Sequence, residues 1–141
     1  MAFAIAALWS ASLALPTIAV KGYRDFGWSM LIVGWLGAML GQVDWLGNPL
    51  ILMLIAMLLQ RRAMPNGFGG MAGLLAFVTV LSALRRTVMV DESGNSYPIE
   101  HHYVGYYLWV ATMGLGALTA LVAAIRPARL GLESVREYGA R

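Results

Sequence analysis

The stretch GQVDWLGNPL, residues 41–50, holds one carboxylate, Asp44, where the chain otherwise carries no charge between Asp25 and Arg61. Two architectures compete there. Either one long apolar helix runs from 26 to 60 with an acid inside it, or the chain turns at Asp44 and starts a new helix. Asn48-Pro49 is a helix-start signal, since Asn is a good N-cap and Pro fits the first helical position, where its missing N–H costs nothing. Gln42, Asp44 and Gly47 give the same point a turn-prone composition. A Pro inside one long helix would instead cost about 3 kcal/mol. The turn is the better reading, and it leaves Asp44 hydrated in a tight external turn with a dispensable charge.

Outward from this point the chain is strongly apolar. Of its 141 residues 60% are hydrophobic and 12% charged, and the mean hydropathy is +0.69. That composition predicts a polytopic membrane protein, all-α in class. There is no cysteine, which excludes disulfides, thiolate chemistry and iron–sulfur clusters. No Lys/Arg-rich patch points to nucleic acid.

A bilayer core about 30 Å thick takes about 20 helical residues to cross. Apolar stretches predict about five spans, at 1–20, 26–43, 48–60, 66–86 and 103–125, the third of them short. The first stretch lacks a basic flank and a clear cleavage site, so it reads as a retained span rather than a signal peptide. With five spans, one face holds Lys21, Arg24, Arg61, Arg62, Arg126, Arg129, Arg136 and Arg141, and the other only Arg85 and Arg86. With one long helix in place of the second and third spans, the same ten charges divide six to four. Cytoplasmic loops carry the excess of Lys and Arg. The eight-to-two division therefore favours five spans, the amino terminus outside and residues 126–141 as a basic cytoplasmic tail.

Membrane helices associate through small residues that let backbones approach. Gly34, Gly37 and Gly41 form such a face on the second span and are the expected partner-binding surface. Gly69-x-x-x-Gly73 opens the fourth span, and Gly116, Ala120 and Ala124 recur along the fifth, where internal packing is expected. Trp28, Trp45, Trp109, Tyr103, Tyr106 and Tyr107 fall near span ends, where aromatic belts sit. Trp9 and Trp35 fall deeper and are expected between helices.

Residues 86–102 form the one long extramembrane segment before the tail. Thr87–Val90 is β-prone, the next residues are turn-rich, and Tyr97–His102 can return, which predicts a small external β-hairpin-like flap with Gly94-Asn95 at its tip. Arg85, Arg86, Glu100, His101 and His102 make a possible polar external site. Mutual neutralisation with Asp91, Glu92 and Glu100 explains the arginine pair better than a ligand does. Neighbours such as Glu100, His101 and His102 point about 100° apart on a helix and to opposite faces of a strand, so they rarely share one ligand. No metal or cofactor is expected.

The polar residues inside the spans are Ser10, Ser12, Thr17, Ser29, Gln42, Thr79, Ser82, Thr112 and Thr119. They include no nucleophile–base pair and no pair of carboxylates, so an enzyme is not expected. The stretch GWLGAMLGQVDWLGNPL (34–50), the apolar run up to Arg61-Arg62 and YYLW (106–109) resemble small multi-span bacterial inner-membrane proteins of uncharacterised type. The resemblance implies a bacterial inner membrane and brings no activity with it. The expected function is a non-catalytic interaction protein: an accessory subunit of a larger membrane complex, or an immunity-type protein. Its expected partners are the lipid bilayer and another membrane protein or further copies of itself. A small oligomeric pore or carrier lined by Ser, Thr and backbone is the alternative, and a haem or quinone site near His101 a weaker one.

Overall fold

Pro16 cuts the first apolar stretch in two. A residue before proline is driven out of the helical region, and Leu15 is extended at φ −102°, ψ 153°. The computed structural model describes residues 1–39, 41–60, 65–89 and 95–138, and in it helix α1 covers only Ala2–Ala14. Strand β1, Pro16–Val20, follows, and a two-residue turn leads into β2, Tyr23–Phe26. The turn residues Lys21 and Gly22 both have positive φ, 51° and 74°, as a type I′ hairpin requires.

Four more helices follow among the described residues: α2 (Gly27–Met39), α3 (Gly47–Gln60), α4 (Pro65–Leu84) and α5 (Val104–Tyr138). A single 3-10 turn, Val43–Leu46, precedes α3. Among the described residues three helical segments are long and apolar enough to cross a membrane: Val43–Gln60, Asn66–Leu84 and Val104–Ile125. The expected flap is present as strands β3 (Thr87–Met89) and β4 (Ser96–Pro98), paired antiparallel with Val88 opposite Tyr97. Of its expected tip, Gly94 lies outside the described residues.

The last strand, β5 (His101–His102), pairs with neither neighbour of the flap but with the free edge of β1, placing Ile18 opposite His102 and Ala19 opposite His101. Backbone bonds extend the seam, from Glu100 N–H to Ala19 O at 2.9 Å and from Tyr103 N–H to Thr17 O at 2.7 Å. The connection after α1 and the connection before α5 are therefore stitched together at one end of the bundle. This corrects the five-span reading, which set Lys21 and Arg24 on the face opposite Arg85 and Arg86.

The segment 26–43 is corrected with it. Helix α2 starts beside the end of α1, where Gly27 N–H donates to Leu15 O at 3.1 Å. The chain then reverses at Gly41, whose φ of +89° suits glycine,. It returns along α2, with Gln42 N–H on Gly37 O at 2.8 Å and Trp45 Nε1 donating to Leu31 O at 3.0 Å. Asp44 ends up against Arg85, just past the end of α4. Both ends of this segment thus lie at the sheet end, so it leaves the bundle and comes back without traversing it. The physical reason is local: Pro16 stops α1 early, and glycines let the returning chain lie close against α2.

The bundle proper is α1, α3, α4 and α5, with α4 and α1 antiparallel to α5. Its core joins Ile5, Ile51, Leu54, Phe68, Met71, Leu75, Met113 and Ala120. Gly116 lies in the same place, where an added Cβ would stand 2.8 Å from Ile51 and 3.3 Å from Leu54 and Leu75. Interiors this close-packed tolerate extra volume poorly. Ala120, fully buried, should not accept a larger residue: Ala120→Ile is expected to lower stability by about 1–3 kcal/mol, read as a drop in melting temperature of the purified protein. A smaller cluster of Ile18, Val20 and Val88 joins the three-stranded sheet β2-β1-β5 to the β3–β4 hairpin, with Met30, Ile99 and Tyr106 packed on it.

Candidate functional site

Beneath the sheet, where α1, the returning turn, α3, α4 and α5 meet, lies a cavity of about 100 Å³. Its lining includes Ser12 from α1, Thr17 and Ile18 from β1, Asp44 and Trp45 from the 3-10 turn, Asn48 from α3, Arg85 from the end of α4, and Tyr106 and Trp109 from α5.

Asp44 and Arg85 form an ion pair in its wall, with side chains 15% and 18% exposed. The turn at Asp44 is where the sequence places it, but the acid is not hydrated. It faces inward and is held by an arginine 41 residues later. At this burial each ion depends on the other, because an unpaired charge out of water costs several kcal/mol.

Asn48 is the hub of the site. It is 5% exposed, and its Oδ1 accepts from the indole N–H of Trp9 at 3.1 Å and of Trp109 at 3.0 Å. One side chain thereby ties α3 to α1 and α5. The helix starts at Gly47, so Asn48-Pro49 does mark its start, but the Asn side chain bonds tryptophans and caps no backbone N–H. Four further donors of the site are spent on backbone carbonyls. Trp45 bonds Leu31 O, the Tyr106 hydroxyl donates to Ser82 O, Ser12 donates to Trp9 O at 2.6 Å, and Thr17 donates to Asp25 O at 3.0 Å.

The glycines expected to bind a partner serve this site instead. An added Cβ at Gly34 would collide with the Trp45 indole, and one at Gly37 would stand 3.0 Å from Gln42 Oε1. Their face is filled by the chain's own return, which corrects the partner-surface expectation for Gly34 and Gly37. Gly41 has nothing within 4 Å and serves the reversal. Trp35, expected between helices, is 47% exposed.

The expected polar external site does not converge. Arg85 turns into the cavity while Arg86 is exposed. Glu100 lies at the hairpin turn, its carboxylate accepting from Gly22 N–H at 3.3 Å. His101 is exposed. His102 lies 4.3 Å from the Tyr106 ring, centre to centre, with Nε2 buried and unbonded, and burial lowers its pKa below the usual 6.5. Cations instead sit over aromatic rings on this end: Lys21 Nζ is 3.4 Å from the Tyr97 ring centre, and the Arg24 guanidinium 5.3 Å from that of Tyr103. Among the described residues no three His, Asp or Glu side chains gather as a metal site would need.

Sequence reasoning missed Asn48 as a hydrogen-bond hub and Asp44–Arg85 as a pair. For the pair a signal existed, because a lone acid within a long apolar stretch calls for a named partner. For Asn48 none did, since the helix-start signal explained it fully. Compared with known proteins, the chain matches no family model, no curated protein sequence and no solved structure.

Proposed function

We propose that this chain is an integral membrane protein of a bacterial inner membrane that acts by binding rather than by catalysis, as an accessory subunit or immunity-type protein. The observation that supports it is the apolar outside of the bundle. Leu52, Met53 and Leu59 on α3, Leu74, Phe77 and Val80 on α4, and Leu118, Leu121, Val122 and Ile125 on α5 are all exposed. Contiguous apolar surface on this scale needs lipid or protein to cover it. With Lys21, Arg24, Arg85 and Arg86 at the sheet end, the ten Lys and Arg divide six to four. That division favours a cytoplasmic side away from the sheet, with the tail on it and with the start of α1 there too, in place of the outside amino terminus expected from five spans.

Protein contact finds room on α4, where Gly69, Gly70 and Gly73 have nothing within 4 Å. A pore lined by hydroxyls is less well supported. Thr79, Ser82, Thr112 and Thr119 each donate to the carbonyl four residues back on their own helix, a pairing that spends the hydroxyl locally.

Alkaline carbonate washing of membranes and gentle detergent purification test the proposal. The expected result is retention in the membrane and isolation with a second membrane protein or as a homo-oligomer, lost in Gly69→Leu or Gly73→Leu. Release by carbonate would overturn the membrane placement, and a lone monomer would overturn the interaction reading.

A further inference from the structure

We propose that the cavity beneath the sheet binds a small, uncharged, mostly apolar molecule bearing a hydrogen-bond acceptor such as a carbonyl oxygen. Size comes first. A volume of about 100 Å³ compares with the roughly 150 Å³ of a cavity that takes up benzene, so the occupant is a ring or short chain of that order. The walls are suited to it. Met30, Trp45, Val88, Ile99 and Trp109 line the space, and binding sites are characteristically apolar with a few placed polar groups.

Charge then narrows the class. Asp44 and Arg85 neutralise each other across the wall. A charged ligand would leave an uncompensated ion in a place where that is expensive, so the occupant is neutral.

Hydrogen bonding decides its polarity. The two indole N–H groups both point at Asn48, which fixes the amide orientation: the oxygen must face them, and the Nδ2 end faces away. Both lone pairs of that oxygen are then in use, while the Nδ2 hydrogens have no acceptor among the described residues. Ser12, Thr17, Trp45 and Tyr106 all spend their donors on backbone carbonyls. The donors left over in the wall therefore include the Asn48 amide, together with the Gln42 amide and the Arg85 N–H groups not turned to Asp44. A carbonyl oxygen satisfies such a donor, and a pure hydrocarbon does not.

The test uses two probes of matched size, cyclohexanone and methylcyclohexane, with the detergent-purified full chain. Tryptophan emission and thermal shift report occupancy, because Trp45 and Trp109 line the cavity. The expected result is saturable binding of cyclohexanone, at least tenfold tighter than methylcyclohexane, since both probes partition into the micelle but only one can accept a bond. Asn48→Asp keeps an acceptor for both indoles and removes the amide donor, so it should cut cyclohexanone affinity about tenfold. Met30→Trp fills the cavity and should abolish saturable binding of either probe while the protein stays folded. Should Asn48→Asp not fold, Met30→Trp carries the test. Equal affinity for the two probes, no saturable signal, or undiminished cyclohexanone binding in Met30→Trp would each overturn the proposal.

Discussion

Replacing Asp44 by Asn is expected to destabilise the protein by about 2–4 kcal/mol, toward the lower end of what breaking a buried ion pair costs. The change is nearly isosteric, so packing is preserved and the effect isolates charge. Without Asp44 the Arg85 guanidinium stands uncompensated on a side chain that is only 18% exposed. The reciprocal change Arg85→Gln should be similarly damaging. The double variant Asp44→Asn/Arg85→Gln should recover most of the loss, because two neutral amides need no counter-charge. A double-mutant cycle on unfolding of the purified protein measures the coupling directly. If Asp44→Asn unfolds like the wild type, the acid is hydrated after all, as its sequence context alone suggests.

The second large effect is expected at Asn48. Asn48→Leu fills similar space but offers no acceptor, so the indole N–H groups of Trp9 and Trp109 both lose their partner. A buried donor left unsatisfied costs about 1–3 kcal/mol, so two give about 2–6 kcal/mol. Trp9→Phe or Trp109→Phe removes a donor and leaves Asn48 one remaining bond, so each should lose only about 0.5–1.5 kcal/mol through its hydrogen bond, with the lost ring area added. The ordering is the diagnostic: Asn48→Leu should exceed the hydrogen-bond loss of either tryptophan variant. Melting temperatures for the three variants read it, and an Asn48→Leu protein as stable as wild type would show that the hub holds nothing together.

Much of the fold was legible from residue order. Hydropathy alone locates α4 and the apolar part of α5, because their apolar runs have span length. Thr87–Val90 and the turn residues after it announce the flap. Gly116 and Ala120 fall in the core as their four-residue spacing suggests. The misreadings share a cause, which is that hydropathy does not register backbone direction. Residues 1–20 carry no charged side chain and are mostly apolar, yet they contain a helix and a strand, and Pro16 was the visible sign of the break. Residues 26–43 have the length of a span and instead fold back, because Gly34 and Gly37 leave room for Trp45 and Gln42. The pairings that define the site join residues far apart in sequence: Ile18 with His102, Asp44 with Arg85, Asn48 with Trp109. Such contacts leave no periodic trace, and only the folded backbone reveals them.

The stitching of β1 to β5 makes a prediction that the five-span reading denies, and single-cysteine labelling tests it. The chain has no cysteine of its own, so one substitution at a time reports one position. Tyr23 in the first hairpin, Ser96 in the flap and Asn66 at the start of α4 are all exposed. In sealed, oriented membrane vesicles treated with an impermeant maleimide, Tyr23→Cys and Ser96→Cys are expected to react from the same side and Asn66→Cys from the other. Tyr23→Cys reacting together with Asn66→Cys, and opposite Ser96→Cys, would contradict the shared sheet and restore α2 as a crossing helix.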